Sequence, residues 1–430
     1  MAEPVTLAVI GAGMRGRATY GRQALAKPES LRVVAIAEPD AQRRVAMARE
    51  HALAPGAVFG DWREALEGPR LADAVIIATG DDVHVEPALA ALERGYHVLL
   101  EKPMAPHPGA CLQLVAAADR AGRALQVGHV LRYTPFYAQV HELLAAGSLG
   151  RLVHLALEEH VAAWHMAHSF VRGKFRNRAL AAPFLLSKSC HDLDLIAWFA
   201  GRPGQQVASF GARSGYAREC APAGAPARCS DGCPVQQSCP HDAVRFYAGV
   251  DDELARHWPW SDLSADPSRD ARLRALESSR YGRCVYHCDN DVVDHQLVAI
   301  DFGEGLTASF SVTGFAAVET RRLRITGTEG ELRGALEEGW LELSRPGRTG
   351  NERFEFARDA AGHYGGDTGL VAHFADVVAR DAPDEVLASG RAALESHLLG
   401  FAAERSRESK RLVDMDAFRT EHGAPPCRST

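Results

Sequence analysis

Nowhere does the 430-residue chain approach the ~18 consecutive apolar residues that a membrane-crossing helix needs. Basic charge is not in excess either. Lysine and arginine total 48 against 55 acidic residues, and a formal charge of -7 gives no general attraction to nucleic acid or anionic membrane. The N-terminus has no basic-then-apolar signal segment, because MAEP leads straight into a strand-like run; a cytoplasmic location is the default expectation. Internal repeats and low-complexity linkers are absent. What remains is ordinary for a soluble globular protein, with 24% charged and 46% apolar residues and length enough for two domains.

The informative stretch is VTLAVIGAGMRG. Val5 to Ile10 is a short apolar run, and Gly11, Gly13 and Gly16 follow at G-x-G-x-x-G spacing before an alanine- and arginine-rich helical stretch. This predicts a strand, a tight turn and a helix. Gly11 permits the turn, Gly13 lets a pyrophosphate approach the backbone, and Gly16 allows close helix–strand packing, with Met14 and Arg15 in the same turn. The helix start offers unpaired N–H groups and a positive dipole end to phosphate. The next buried strand, LRVVAIAE over 31–38, ends in Glu38. A carboxylate there accepts from both ribose hydroxyls and repels a 2′-phosphate, which favours NAD over NADP, although Arg43 and Arg44 lie close by.

ADAVIIAT (72–79) is another buried strand, TGDDVH runs from its end into the helix EPALAALERG, and YHVLLEKP makes the next strand and its exit. Strands alternating with helices every ~25 residues indicate a doubly wound parallel sheet. Such sheets bind ligands at strand C-termini, which places Thr79, Glu101, Lys102 and Pro103 at the cofactor crevice, with His84 counted beside them. GAGMRG, ATGDDVH and HVLLEKPMA, in this order and spacing, resemble the Gfo/Idh/MocA oxidoreductases, relatives of glucose–fructose oxidoreductase and inositol dehydrogenase. The E-K-P motif is far more specific than the glycines. The resemblance implies a lysine beside the nicotinamide and the reacting carbon, and carries that role onto Lys102. It also turns Arg132, in the segment QVGHVLRYTPFY that leaves the first domain, towards the cleft; a structural arginine at the domain junction is the alternative.

From 152 the pattern changes to LVHLALEEHV, the alternation of a half-buried strand in an antiparallel sheet. AWHMAHSFVRGKFRN then reads as a loop whose Trp164, His165, His168, Arg172 and Arg176 suit a polyhydroxylated or anionic ligand. LLSKSCHDLDLIAWFAG (185–201) reads as one helix closed by Gly201, with Lys188, His191 and Leu195 on one face. Set against the family's H-x-x-D-x-x-x-W segment, His191 takes the place of the catalytic histidine and Asp194 that of the acid three residues later. Many sugar-oxidising members carry an aspartate four residues before the histidine. Ser187 stands there instead, and the adjacent Lys188 becomes a substrate-facing candidate. The implied chemistry is alcohol oxidation: His191 removes the hydroxyl proton, the hydride passes to the nicotinamide, and Lys102 stabilises the developing oxyanion.

Farther on, DVVDHQLVAIDF and LTASFSVTGF are alternating strands joined by the Gly303–Gly305 turn, and RRLRITGTEGELRG and WLELSR extend the sheet. GHYGGDTGLVAHFADVV and ASGRAALESHLLGFAAERSRES are helical; His363 and Asp367 are possible ligand contacts, with a helix cap the simpler reading of Asp367, and the tail after 417 is expected at the surface. The fold class expected is α/β: an N-terminal doubly wound parallel sheet over 1–130, then an α+β domain over 131–430 with a large, mostly antiparallel sheet and a cysteine-rich insertion over 214–290.

The nine cysteines are unevenly spread. Cys111, Cys190 and Cys427 stand alone, whereas Cys220, Cys229, Cys233 and Cys239 sit in a proline- and glycine-rich stretch with little to pack, and Cys284 and Cys288 follow. Clustered thiols in a reducing compartment point to metal ligation rather than disulfides. Cys229, Cys233 and Cys239 with one of Cys284 and Cys288 could hold structural zinc, with an iron–sulfur cluster or unligated thiols as alternatives. The reading is an NAD-dependent dehydrogenase of a sugar, cyclitol or derivative, without nucleic-acid or membrane partners. The resemblance implies a homo-oligomer, dimer or tetramer, paired through the second domain's sheet. Two alternatives stand beside it: a redox-assisted glycoside-cleaving enzyme using the same Lys102/His191 pair without net NADH, and a non-catalytic dinucleotide sensor.

Overall fold

The computed structural model describes residues 3–179, 181–358 and 362–425. Six parallel strands make the first sheet: β1 (Val5–Ile10), β2 (Leu31–Ala37), β3 (Val58–Phe59), β4 (Ala74–Ile77), β5 (His97–Leu100) and β6 (Leu125–Val127). Their spatial order is β3-β2-β1-β4-β5-β6. β4 and β5 are buried along their whole length, as expected where helices cover both faces and polar alternation has no use. The order reverses between β1 and β4. The exits of those two strands, the glycine turn and Thr79, therefore border the crevice where doubly wound sheets bind ligands.

The second sheet has nine strands: β7 (Leu152–Ala162), β8 (Gln206–Ala212), β9 (His295–Asp301), β10 (Thr307–Ala316), β11 (Thr320–Gly327), β12 (Glu331–Ala335), β13 (Trp340–Ser344), β14 (Glu352–Glu355) and β15 (Val413–Asp414). They lie in the order β14-β13-β12-β11-β7-β10-β9-β8-β15, and every neighbouring pair is antiparallel except β7 with β10. Burial alternates along β9 with the period of a one-sided sheet. The helices Cys190–Ala200 and Gly390–Ser409 pack against the sheet. Phe210 and Leu297, opposite each other on β8 and β9, are 69% and 47% exposed. Gly390–Ser409 also returns to the first domain: Ala393 joins the core around Val98 and Leu100, and the Val127 N–H donates to the Ala388 carbonyl. Among the described residues no helix is long and apolar enough to cross a membrane.

Three local expectations are corrected. The single helix over 185–201 is two, Phe184–Ser187 and Cys190–Ala200, because the Ser189 hydroxyl turns to Glu159 at 2.7 Å where the chain breaks. Gly201 closes the second with φ 63°. The expected loop after β7 is helical, Ala163–His165 and then a π-helical Met166–Arg172, whose apolar Met166, Phe170 and Val171 are buried. The tail is not all surface either: Phe418 and Arg419 on the helix Met415–Glu421 are buried, and Arg419 pairs with Glu395 at 2.8 Å.

The glycine turn separates two roles. A Cβ on Gly16 would lie 1.8 Å from the Gly11 carbonyl oxygen, whereas one on Gly13 meets nothing within 4 Å. Gly16→Ala is expected to lower the melting temperature clearly, and Gly13→Ala to change stability by no more than about 0.5 kcal/mol. Equal melting of the two variants by calorimetry would remove the packing role from Gly16.

Candidate active site

The cofactor-side turn is built by backbone contact. Gly11 has φ 95°, and a Cβ there would come 2.6 Å from the Ala78 carbonyl oxygen, so β1 and β4 exit side by side only with glycine. Gly13 leaves open space at the helix start, with Met14 half exposed beside it. Glu38 is buried at the end of β2 and accepts from the Ala12 N–H at 2.6 Å and the Asp40 N–H at 2.9 Å. Arg44, a possible attraction for a 2′-phosphate, is instead turned onto the Glu38 and Pro39 carbonyls at 2.5 and 3.0 Å. Thr79 stands at the β4 exit with its hydroxyl on the Gly80 carbonyl, 3.3 Å away.

The E-K-P segment divides its side chains. Glu101 is buried and accepts from Arg15 Nε at 2.5 Å and from the Tyr20 hydroxyl, while Arg15 Nη2 reaches Asp367 of the second domain at 2.8 Å. Burial opposes the Glu101 charge, but Arg15 and the Tyr20 bond outweigh it and hold its pKa below the ordinary value. Glu101 is thus a counter-ion for the glycine turn. His84 also lies beneath the segment, fully buried with Nδ1 2.8 Å from the Pro103 carbonyl.

Lys102 reaches across to the second domain, and its Nζ donates to the Ser187 carbonyl at 2.7 Å. The broken helix presents that carbonyl, so the backbone of Ser187 meets the lysine where many resembling sequences have an aspartate. His191 follows in the first turn of Cys190–Ala200, buried, with Nδ1 unpartnered among the described residues. Burial first, then the charge of Lys102, push its pKa well below 6.5, which leaves a neutral imidazole at pH 7. His129 meets it edge-on at 5.7 Å, and the His363 ring lies 6.5 Å away.

Beside this pair sits a fixed charge network. Lys188 Nζ is 3.2 Å from Glu159 and 3.5 Å from Glu319, and Arg321 binds Glu159 and also Asp192 at 3.2 Å. Burial disfavours both carboxylates; Arg321 and Lys188 keep Glu159 ionised, while burial and the Glu159 charge push Asp192 well up. His165 Nδ1 is 2.5 Å from Glu319, Trp164 stacks on His165 at 5.3 Å, and Trp258 from the insertion meets His165 at 5.0 Å. Trp164, His165 and Lys188 are therefore brought together.

The remaining substrate candidates are committed elsewhere. Arg132 and Asp194, 3% and 1% exposed, form a two-pronged pair at 2.7 and 2.8 Å, and Arg132 also donates to the Leu387 carbonyl at 2.9 Å. They are the structural junction. Arg172 donates to the Arg283 and His241 carbonyls, both at 2.7 Å, and His168 binds the Tyr247 hydroxyl at 2.6 Å and stacks on Tyr281 at 4.9 Å. Arg176 pairs with Asp289 at 2.9 Å. The reason is common to all three: the insertion folds onto this segment, and its carbonyl, hydroxyl and carboxylate groups need partners.

The cysteine reading is also corrected. Cys229, Cys233, Cys239 and Cys284 line one small cavity, but among the described residues no three Cys, His, Asp or Glu side chains are arranged to hold a metal ion. Cys288 instead directs its thiol to the Cys284 carbonyl at 3.3 Å, and Cys427 lies outside the described residues. Among the described residues neither the four-sulfur zinc centre nor the iron–sulfur alternative is assembled. Buried arginines and a small core hold the insertion. Arg272 donates to the Tyr247 and Val250 carbonyls at 2.7 and 2.9 Å, over a cluster of Tyr247, Leu263, Leu276 and Tyr281.

Sequence reasoning missed Arg321, Glu319 and Trp258, whose strands, turns and insertion carry no motif, and His129, which lies in the segment read only for Arg132. For the junction pair, Arg132→Met leaves a buried carboxylate with only the His129 ring, 3.7 Å away, near it, and is expected to cost about 3–5 kcal/mol in chemical unfolding. Adding Asp194→Leu should recover much of that; no recovery would contradict an isolated pair.

The chain matches the oxidoreductase family's NAD-binding Rossmann fold over residues 5–129 and the same family's C-terminal alpha/beta domain over residues 141–415. The oxidoreductase YteT of Bacillus subtilis strain 168 is 25% identical over 318 residues, which is 70% of this chain and 71% of that protein. Inositol 2-dehydrogenase 2 of Saccharopolyspora erythraea is 33% identical over 220 residues, covering 50% of this chain and 59% of its own length, less than two thirds. Among solved structures, levoglucosan dehydrogenase in complex with NADH and levoglucosan has the same fold at a TM-score of 0.69 and 18% identity, over 96% of this chain and 100% of that one. An oxidoreductase domain protein from Kribbella flavida gives 0.69 at 20% identity, over 96% and 100%. The two family matches together span nearly the whole described chain, and the protein belongs to the Gfo/Idh/MocA oxidoreductases, with an NAD-binding Rossmann domain joined to the family's C-terminal α/β domain.

Proposed function

We propose that this oxidoreductase moves a hydride between NAD and a ring hydroxyl of a sugar, cyclitol or derivative, with Lys102 and His191 as its catalytic pair. The observation that carries this reading is the crossing of Lys102 to the Ser187 carbonyl at 2.7 Å, four residues before a histidine whose basicity the lysine charge already depresses. The relatives named inositol 2-dehydrogenase and levoglucosan dehydrogenase support the substrate class.

The residues present fit the dinucleotide. Gly13 opens onto free space at a helix start, as a pyrophosphate needs, with Gly11, Met14, Arg15 and Gly16 completing the turn. Glu38 and Thr79 border it, and the buried Glu38 carboxylate favours NAD over NADP. When bound, NAD supplies the hydride acceptor. His191 takes the hydroxyl proton on its neutral imidazole. The Lys102 ammonium stands against the oxygen where negative charge grows, and bound substrate would replace the Ser187 carbonyl as its partner. Trp164, His165 and Lys188 line the substrate side. A cytoplasmic enzyme goes with this reading, as does pairing of two copies through the sheet face that exposes Phe210 and Leu297. Light scattering is expected to show an oligomer that Phe210→Glu with Leu297→Glu dissociates; a monomeric wild type would end that part.

Lys102→Ala is expected to bind NAD with unchanged affinity and lose at least ~100-fold in kcat on a polyol panel followed by nicotinamide absorbance. For pH the sign is fixed by His191. Protonation disables the base, and a pKa lowered from 6.5 moves that loss below 6.5, so kcat/KM should be flat from 7 to 6.5 and fall only under it. An acid limb centred above 6.5, or a Lys102→Ala variant with wild-type turnover, would refute the pair.

A further inference from the structure

The turn before the helix Gly366–Ala379 holds a second histidine at the site. His363 and Tyr364 have left-handed backbones, φ 50° and 56°, between Gly362 and Gly365 at 58° and 86°. Such conformations are strained for residues bearing a side chain and persist only where their surroundings hold them. Here the Asp367 N–H donates to the Gly362 carbonyl and the Gly366 N–H to the His363 carbonyl, both at 3.0 Å. Asp367 is no helix cap. Gly365 occupies the cap position, and the Asp367 carboxylate lies buried between His363 Nδ1 at 2.9 Å and Arg15 Nη2 at 2.8 Å.

That arrangement fixes the chemistry of the ring. Burial opposes the Asp367 charge, but His363 and Arg15 outweigh it and keep the carboxylate ionised. An ionised carboxylate only accepts hydrogen bonds, so Nδ1 of His363 carries a proton and donates to it, and Nε2 is the ring nitrogen left to meet a ligand. The side chain is 49% exposed and its ring centre is 6.5 Å from that of His191. Two hydrogen bonds of about 2.8 Å, meeting adjacent oxygens of one substrate, fit between rings at that separation.

We infer that His363 is a substrate-contacting residue whose Nε2 hydrogen-bonds the hydroxyl next to the one oxidised, so that the site selects vicinal diols. The inference rests on the proposed dehydrogenase reading and names its substrate class more narrowly.

The test compares a cyclitol or sugar that the wild type oxidises with its analogue lacking the neighbouring hydroxyl. His363→Asn, which suits a left-handed backbone and stops short of the cleft, is expected to lose about tenfold or more in kcat/KM on the diol, chiefly in KM. The deoxy analogue should be turned over equally by variant and wild type, and NAD affinity by calorimetry should not move. His363→Gln, with an acceptor oxygen at longer reach, should recover much of the diol activity. Equal losses on both substrates, or no loss on either, overturn the role of His363 while leaving the dehydrogenase reading in place. A wild type that oxidises no polyol at all removes both.

Discussion

The guanidinium of Arg15 is the contact on which the rest of the site depends. It starts from the glycine turn at the exit of β1, meets Glu101 at the exit of β5 and reaches Asp367 at the start of a second-domain helix. Two buried carboxylates share this one cation, and the Tyr20 hydroxyl completes the Glu101 shell. Burying such charges is costly unless each is paired and hydrogen-bonded, so the three elements are locked together or not assembled at all. Lys102 is the next residue after Glu101, and its direction across the domain boundary is a consequence of that lock. His363, held by the other oxygen of Asp367, is fixed from the same centre.

A second set of buried charges lies beside Lys102 and His191. Glu159 on β7 receives Arg321 from the neighbouring β11 and Lys188 from the helix break, and Asp192 is left beside it as the weaker acid. Fixed charges in a water-poor environment act at much lower effective dielectric than in bulk water. In such a place a neutral His191 next to a cationic Lys102 is the self-consistent arrangement. Burial opposes a protonated imidazole first, and such a ring would add one more positive charge beside Lys102 and Arg321, which oppose it as well.

How much of this could be read from the sequence follows from how local each cause is. Gly11 and Gly16 are demanded by contacts at the ends of two strands, and the E-K-P segment by the strand it ends, so spacing alone locates them. The parallel sheet was legible for the same reason, because β4 and β5 are short buried runs. Arg132 and Arg172 illustrate the opposite case. Each sits in a segment that reads as ligand-facing, and each finds its partner far along the chain, Asp194 for one and the Arg283 and His241 carbonyls for the other. An arginine donates to a carbonyl as readily as to a substrate, and composition does not separate the two. The break at Lys188 and Ser189 was hidden similarly, since it depends on a hydroxyl finding Glu159 thirty residues away.

The insertion shows what such long-range pairing does to specificity. The segment after β7 was read as a set of ligand donors, yet His168, Arg172 and Arg176 are drawn away from the cleft to satisfy the insertion. In return the insertion brings Trp258 against His165, next to Trp164. Directed cationic donors are thereby exchanged for flat apolar surface on this side, while Lys188 remains within reach of two carboxylates. Aromatic faces beside a few fixed polar groups bind the C–H faces of a ring with little demand for charge. Of the two ligand classes that the segment suggests, polyhydroxylated or anionic, such a wall suits a neutral polyhydroxylated ring better, because the arginines that would meet an anion are bound to the insertion.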